Sequence, residues 1–338
     1  MTVWDDLNAR ARGLTTHLLS PLELERLSRA PDLVSLAEEL VRRGYSIDES
    51  ARTSAPALEL AARRVIAGRL RTISRWAGRR TETLGVLFED EDRRSVAALV
   101  RGAVQRAPAE LRLSGLLPTP ALPERALEEL ASQPTPGAVA TLLTAWRHPL
   151  GQALLADVSR AEPDLLHIET SINRVFADRA LKAARRDGRG GSLFHYVQQA
   201  IDIQNAYSAL VLCTEPWVKP AEFWVDGGRA VSLTAYLEAV ASGGPDAAGR
   251  VLATGFGSRL AKVFAKPDTQ PAGIERAVLS ALILDLRDQA RTAPLSPAPL
   301  LGYALRLRAE ALDIRWLVWG ISLGAPSTAL ARGLVLAP

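Results

Sequence analysis

The chain has 338 residues and a mass of 36.4 kDa, which is enough for two or three units of ordinary domain size. Hydrophobic residues make up 48% and charged residues 23%, and these globular proportions exclude a disordered or low-complexity chain. The net charge of +4 arises from 41 basic and 37 acidic residues, a balance that indicates a solvated surface before it indicates a nucleic-acid-binding protein.

The composition also favours helices. The apolar share is mainly alanine and leucine, which rank highest in helix propensity, whereas aromatic residues are only 5%. A single cysteine, Cys213, excludes a disulfide framework and a thiolate metal cluster. The sequence has neither an uninterrupted apolar run of about eighteen residues nor an apolar secretory signal at its start, so we expect a reduced, cytosolic protein.

Along the chain, an N-terminal helix is predicted before Ser20-Pro21, where a new helix begins. Three motifs then follow in the first third of the sequence. The first is the run 24–28, Leu-Glu-Arg-Leu-Ser; the second is Leu58-Glu59; the third is an acid followed three residues later by a short polar residue, Asp92 and Ser95. The second and third motifs each precede apolar residues at +4, +7 and +8, which form one stripe along a helix.

The same three motifs recur, in the same order, in the rest of the chain. Any one of them could arise by chance in a chain rich in alanine and leucine. Their constant order and near-constant spacing predict three similar helical repeats. The later copies are Leu127-Glu128, Ile168-Glu169 and Asp202 with Asn205, then Leu237-Glu238, Ile274-Glu275 and Glu310 with Asp313.

We therefore predict an all-α fold of three helical units over residues 1–115, 116–220 and 221–338. The first carries the N-terminal helix and the last a C-terminal helix after Ala325-Pro326. Proline-bearing breaks at 117–120, 215–220 and 292–299 mark the joins. The polar residues of the motifs are predicted to be structural, because one chain seldom needs an active site three times. They are Glu25, Glu128, Glu238, Glu59, Glu169, Glu275, Asp92, Asp202, Glu310, Asn205 and Asp313.

Patterns that carry chemistry are missing from the sequence. The four histidines are scattered without metal-ligand spacing, and Cys213 falls on an apolar stripe, where an inert thiol is usual. The glycine-rich run 185–192 lacks the order of a phosphate-binding loop. We expect no catalytic residue, metal, cofactor or small-molecule substrate. Residues 223–225 form the only strand-like run.

Several segments have counterparts in one known family. Asn8-Ala9-Arg10 and the run 18–21, Leu-Leu-Ser-Pro, resemble its opening; Ile201-Asp202 with Asn205 resembles a middle helix; Tyr303 through Glu310 resembles a late one. Together the segments resemble the C subunit of the V/A-type (vacuolar/archaeal-type) rotary ATPases, the subunit d family of eukaryotic vacuolar enzymes. The sequence departs from the family pattern at three positions, where an arginine, an asparagine and an aspartate are replaced by Val211, Asp313 and Asn173.

The resemblance implies three all-helical units arranged with pseudo-threefold symmetry as a funnel. It implies a non-catalytic central-stalk adaptor, peripheral at the cytoplasmic face of the membrane. The implied partners are the central-shaft subunits, the membrane proteolipid ring and the stator membrane subunit, with no nucleic acid and no direct small-molecule substrate.

Two alternatives stay open. The first is a helical-repeat adaptor that binds protein partners outside a rotary motor. The second is nucleic-acid binding, which needs arginines clustered on one face with aromatic residues for stacking. Trp76, Trp146, Trp316 and Trp319 lie instead beside helical apolar positions.

Overall fold

The structure, a computed structural model, describes residues 4–158, 164–186, 188, 190–214, 219–268 and 270–336. Within these residues the secondary structure is α-helical with short 3-10 turns and contains no strand, so the all-α prediction is confirmed. The helices are α1 Asp5–Thr15, α2 Pro21–Leu27, α3 Leu33–Arg42, α4 Ala55–Ala77, α5 Thr81–Val104, α6 Ala109–Leu113, α7 Glu124–Ala131, α8 Pro136–Ala145, α9 Pro149–Val158, α10 Leu165–Ala184, α11 Ser192–Leu212, α12 Leu233–Val240, α13 Pro245–Ala253, α14 Ser258–Ala265, α15 Pro271–Thr292, α16 Ala298–Ser322 and α17 Ser327–Arg332.

Contacts divide the chain into two compact units. The terminal unit comprises Val3–Gly78, Ser114–Pro120 and Pro271–Pro338, and so joins the two ends of the chain. The middle unit comprises Arg79–Leu113 and Ala121–Gln270. The three repeats, with boundaries at residues 115 and 220, are inferred from similar sequence motifs and not from contacts, so that division stays a prediction. Residues 215–218 of the predicted second join lie outside the described residues.

Helix α16 forms the centre of the terminal unit. It packs against α1, α3, α4, α15 and α17, and it buries apolar side chains around most of its circumference, as expected for a helix enclosed by others. Of the predicted stripe after Glu310, Ile314, Leu317 and Val318 are buried, and Ile321 is half-buried near the end of the helix.

Helix α10 forms the centre of the middle unit and packs against α5, α9 and α11. Ion pairs join α5 to α10 and to the turn after it in antiparallel order: Glu82 to Arg186, Glu89 to Arg179, and Arg101 to Glu169. The first two pairs are seven residues apart on both segments, about two helical turns, so they keep one register. Exposed pairs of this kind contribute at most about 1 kcal/mol each.

A buried polar cluster lies between α5, α10 and α11 in the middle unit. The Arg93 guanidinium donates to Asp90 at 2.8 Å and to the Asn173 side chain at 2.9 Å, and it lies 4.8 Å from the centre of the Phe176 ring. The Tyr196 hydroxyl donates to Asp90 at 2.8 Å. Burial lowers the pKa of Arg93 and raises the pKa of Tyr196. These contacts give the three helices a shared set of buried polar partners.

The strand-like run at 223–225 does not form a strand. Pro220–Phe223 is a 3-10 turn, and Trp224 follows it in extended conformation. The Asn205 side chain accepts from the Val225 N–H at 3.0 Å and donates to the Val225 carbonyl at 2.9 Å. A side-chain amide therefore takes the place that a neighbouring strand would have filled.

Candidate functional site: buried carboxylates of the long helices

The third motif lies on three long helices, α5, α11 and α16, and all six of its side chains are buried. Each is at most 2% exposed. Burying a carboxylate without partners is costly, so the groups that each one binds indicate what it does. The six residues are Asp92, Ser95, Asp202, Asn205, Glu310 and Asp313.

Glu310 connects three distant segments of the terminal unit. Its carboxylate accepts from the Leu19 N–H at 2.5 Å, from the Tyr45 hydroxyl at 2.5 Å and from Arg69 at 2.6 Å. Burial and the adjacent Glu310 charge raise the pKa of Tyr45 well above its ordinary value. Leu19 directly precedes Ser20, the N-cap of α2. Glu310 therefore fixes the point where the chain enters the helix pair α2 and α3.

Asp202 does the same for a loop of the middle unit. Its carboxylate accepts from the N–H groups of Arg229, Ala230 and Val231 at 2.8–3.0 Å. Val231 directly precedes Ser232, the N-cap of α12. Burial raises the pKa of Asp202, and the three N–H groups oppose this shift. Asp202 thus holds the entry to the pair α12 and α13.

Asp92 faces the corresponding pair α7 and α8. His148 Nε2 lies 3.7 Å from Asp92 Oδ2. His148 follows a left-handed residue at the end of α8, Arg147 (φ 56°), as Tyr45 follows Gly44 (φ 83°) at the end of α3. His148 and Tyr45 are thus in equivalent positions, and each faces the carboxylate of a long helix.

The three pairs of short helices also share one core pattern. In the first helix of each pair, the residues four and seven positions after the N-cap are buried. In the second helix, the buried positions are four, five and eight after the N-cap. The buried residues are Leu24, Leu27, Leu36, Ala37 and Leu40; Leu127, Leu130, Val139, Ala140 and Leu143; and Tyr236, Ala239, Ala248, Gly249 and Leu252.

The structure places the third copy of the first motif one residue earlier than the sequence alignment. In α12 the buried residues are Tyr236 and Ala239, whereas Leu237 and Val240 are half-buried. The cap provides the missing signal: Ser232 precedes Tyr236 by four residues, as Ser20 precedes Leu24. The glutamates of this motif lie on the surface, with Glu25 paired to Arg29 and with Glu128 and Glu238 exposed.

The glutamates of the second motif have different environments. Glu59 is 8% exposed and accepts from Ser114, from the Gly115 N–H at 2.8 Å and from Trp319 at 2.6 Å. A cavity of about 10 Å³ beside it has room for one water molecule and is too small for a substrate. Glu169 pairs with Arg101 at the surface, and Glu275 is exposed. The three glutamates therefore occupy equivalent positions in the sequence motif but have different partners in the structure.

The part of the chain that the structure describes contains no group of three or more His, Cys, Asp or Glu side chains arranged to hold a metal ion. Among the same residues, no helix combines the length and apolarity needed to cross a membrane. Where their partners are described, these buried carboxylates accept from backbone N–H groups, hydroxyls, the Trp319 indole and the Arg69 guanidinium of the chain itself. The arrangement joins remote segments of the chain.

The family model described as the ATP synthase (C/AC39) subunit matches residues 7–332. The chain belongs to this family. The match takes in all three copies of each motif, and it confirms the resemblance to the C subunit of the V/A-type rotary ATPases. No curated protein matches the chain. The buried carboxylates of this C/AC39 family member are therefore features of a rotary ATPase subunit.

Asp313 is where this C/AC39 family member carries an acid in place of the expected asparagine. Its carboxylate accepts from the Val335 N–H at 2.6 Å and the Leu336 N–H at 3.2 Å, which fixes the chain after α17. Burial raises the pKa of Asp313 from 3.8 to about 7. Asn205, the corresponding residue of α11, holds Val225 with a neutral amide.

We expect Asp313→Asn to lose less stability than the wild type as pH rises towards neutral, on top of a pH-independent cost, because its amide NH₂ faces one of the two backbone N–H groups. The folded state binds the Asp313 proton more tightly than the unfolded chain, so wild-type stability falls as pH rises from 3.8 to about 7. The stability of Asp313→Asn relative to wild type should therefore rise over that window by roughly 2–4 kcal/mol and stay constant above it. Urea unfolding at a series of pH values measures it, with Asp48→Asn at an exposed position as the control. Parallel pH profiles for Asp313→Asn and wild type would contradict the prediction.

Proposed function

We propose that this C/AC39 family member is a non-catalytic central-stalk adaptor of a V/A-type ATPase. It couples the central shaft to the membrane proteolipid ring, for ion transport linked to ATP synthesis or hydrolysis. The observation that carries the proposal is the family match from residue 7 to residue 332. The chemistry of the buried carboxylates supports it, because their described partners belong to the chain itself.

A coupling subunit must transmit torque without deforming. Contacts between remote segments serve that purpose, because separating such segments requires breaking buried, charge-assisted hydrogen bonds. Glu310 joins residues 241 to 291 positions away along the chain. The equivalent cores of the three short-helix pairs support three similar units. We propose that these units are arranged with pseudo-threefold symmetry as a funnel.

The proposed partners follow from this role. The mouth of the funnel receives the central-shaft subunits, and its base meets the proteolipid ring. The stator membrane subunit is a third proposed partner. The protein is then peripheral at the cytoplasmic face of the membrane and is held there through the ring.

Calorimetry with the isolated central-shaft subunits of the same organism tests the proposal. We expect saturable one-to-one binding that weakens across a salt series, because ion pairs steer such assembly. Absence of binding, by a protein that circular dichroism shows to be folded and helical, would overturn the shaft-coupling role.

The second candidate is an adaptor outside a rotary motor, and it is favoured by Val211. This residue, 55% exposed, stands where the family tends to carry an arginine, so one polar contact surface is altered. Purification of the tagged protein from its own cells separates the two candidates. Recovery of the catalytic ATPase subunits supports the rotary adaptor, and their absence from an otherwise intact complex supports the alternative.

A further inference from the structure

The outer face of α4, in the terminal unit, is strongly basic. The helix contains five arginines and one acid, Glu59, which is buried. Arg64, Arg71 and Arg75 are exposed, and at about 100° per residue their spacing of seven and four places them on one line along the helix. The line is about 16 Å long at 1.5 Å per residue. We call Arg64, Gly68, Arg71 and Arg75 the basic stripe.

The charge of this stripe is not balanced at its C-terminal end. Within the described residues, no carboxylate lies in ion-pair distance of Arg71 or Arg75, and Arg75 reaches only the Thr72 hydroxyl at 3.3 Å. Arg10 of α1 lies nearby, 5.0 Å from the centre of the Trp76 ring. Like charges four residues apart destabilise a helix by about 0.2–0.5 kcal/mol. Arg71 and Arg75 therefore lower the stability of the helix slightly and gain no ion pair within the described residues.

The surroundings of the stripe favour close approach by another helix. Gly68 lies in its middle, half-exposed, and the Arg71 guanidinium is 3.7 Å from the point where a Cβ of residue 68 would lie. Ala57 and Ala61 continue the same face as small, half-exposed side chains. Small residues allow two helix backbones to approach closely, and flanking arginines then reach the carboxylates of the partner.

We propose that the basic stripe binds an acidic α-helix of a partner protein, which lies along α4 over Gly68. A helix built for an anionic membrane surface carries several Trp, Phe or Leu side chains beside its basic residues, whereas this face carries one half-exposed leucine, Leu60, among alanine and glycine. The proposal does not depend on the rotary role, because any protein with a helix of matching charge and spacing satisfies it.

A synthetic helical peptide serves as the probe. It carries glutamates at positions i, i+4, i+7 and i+11 in an alanine and glutamine background, with a fluorescent label, and its all-glutamine counterpart is the control. Anisotropy titration of the full-length protein should show saturable one-to-one binding of the acidic peptide that weakens with salt. Arg71→Glu with Arg75→Glu should weaken the binding by about tenfold or more.

The control for net charge is the pair Arg125→Glu with Arg250→Glu. These exposed arginines of α7 and α13 lie in the middle unit, and their reversal should leave the affinity within about twofold, as expected for distant charges screened by salt. A loss equal to that of the stripe variant would show that overall charge alone attracts the peptide, and this would overturn the proposal.

Substitution of Gly68 tests the close approach without changing charge. Gly68→Leu should weaken binding about as strongly as the charge reversal, whereas Gly68→Ala should keep it. Both variants should fold, because leucine and alanine favour a helix interior over glycine, and circular dichroism confirms this. Two further results would overturn the proposal: unchanged binding by Gly68→Leu, or no binding of the acidic peptide. If the peptide does not bind but vesicles of equal parts phosphatidylcholine and phosphatidylserine bind in a stripe-dependent way, the stripe is a membrane-binding surface instead.

Discussion

Replacing Glu310 by leucine is expected to lower the free energy of unfolding by about 3–5 kcal/mol. Leucine fills a similar volume but accepts no hydrogen bond. Arg69, whose side chain is only 14% exposed, then keeps its charge without the carboxylate, and the buried Leu19 N–H loses its acceptor. Urea unfolding followed by far-UV circular dichroism measures the loss.

Two further variants make the Glu310 prediction specific. Combining Glu310→Leu with Arg69→Met should recover part of the loss, because the unpaired guanidinium is removed. Arg29→Ala, which breaks the exposed pair with Glu25, should cost less than about 1 kcal/mol. If Glu310→Leu costs no more than Arg29→Ala, the carboxylate does not hold the terminal unit together.

Hydrogen exchange gives a local test of the same contact. The Leu19 N–H should exchange faster in Glu310→Leu than in wild type, because its acceptor is removed. Faster exchange at Leu19, with little change at Val231 in the middle unit, would place the effect in the terminal unit.

The core of the long helices could be predicted from local pattern. Residues at +4, +7 and +8 after the acids of the third motif are all buried, because the 3.6-residue period alone decides which side of a helix is apolar. They are Val96, Leu99 and Val100 after Asp92; Ala206, Ala209 and Leu210 after Asp202; and Ile314, Leu317 and Val318 after Glu310.

The partners of the acids could not be predicted from the sequence. Leu19 and Glu310 are 291 residues apart, and no local property of either residue specifies that pairing. The same limit explains why Glu59 is buried and Glu275 is exposed. Both open a long helix with the same motif, but only Glu59 has the Ser114–Gly115 segment and Trp319 packed against it.

The position of the third short-helix pair depended on a choice between two local signals. Matching the letters Leu-Glu aligns Leu237 with Leu24, whereas matching the N-caps aligns Tyr236 with Leu24. The cap decides, because it fixes where the helix begins and hence which side faces the core. An identical Leu-Glu pair within one helical turn does not fix where the helix begins, so it does not determine which side faces the core.

Asp202→Ala is expected to lower the free energy of unfolding by about 3–4 kcal/mol, from three lost hydrogen bonds to a charged acceptor that is buried. The N–H groups of Arg229, Ala230 and Val231 then have no acceptor. Asp202→Asn should also be costly, because its amide NH₂ is a donor and would face backbone N–H donors of residues 229–231. Urea unfolding measures both variants.

The matched control lies in the same loop. Asp226 is exposed and accepts only from the Trp224 indole at 2.8 Å, so Asp226→Ala should cost less than about 1 kcal/mol. Hydrogen exchange should show faster exchange at residues 229–231 in Asp202→Ala, and unchanged exchange there in Asp226→Ala. If Asp202→Ala leaves those three amides protected, then packing of the apolar residues around α12 holds the loop without the carboxylate. The parallel between Asp202 and Glu310, each holding the entry to a short-helix pair, would then fail for the middle unit.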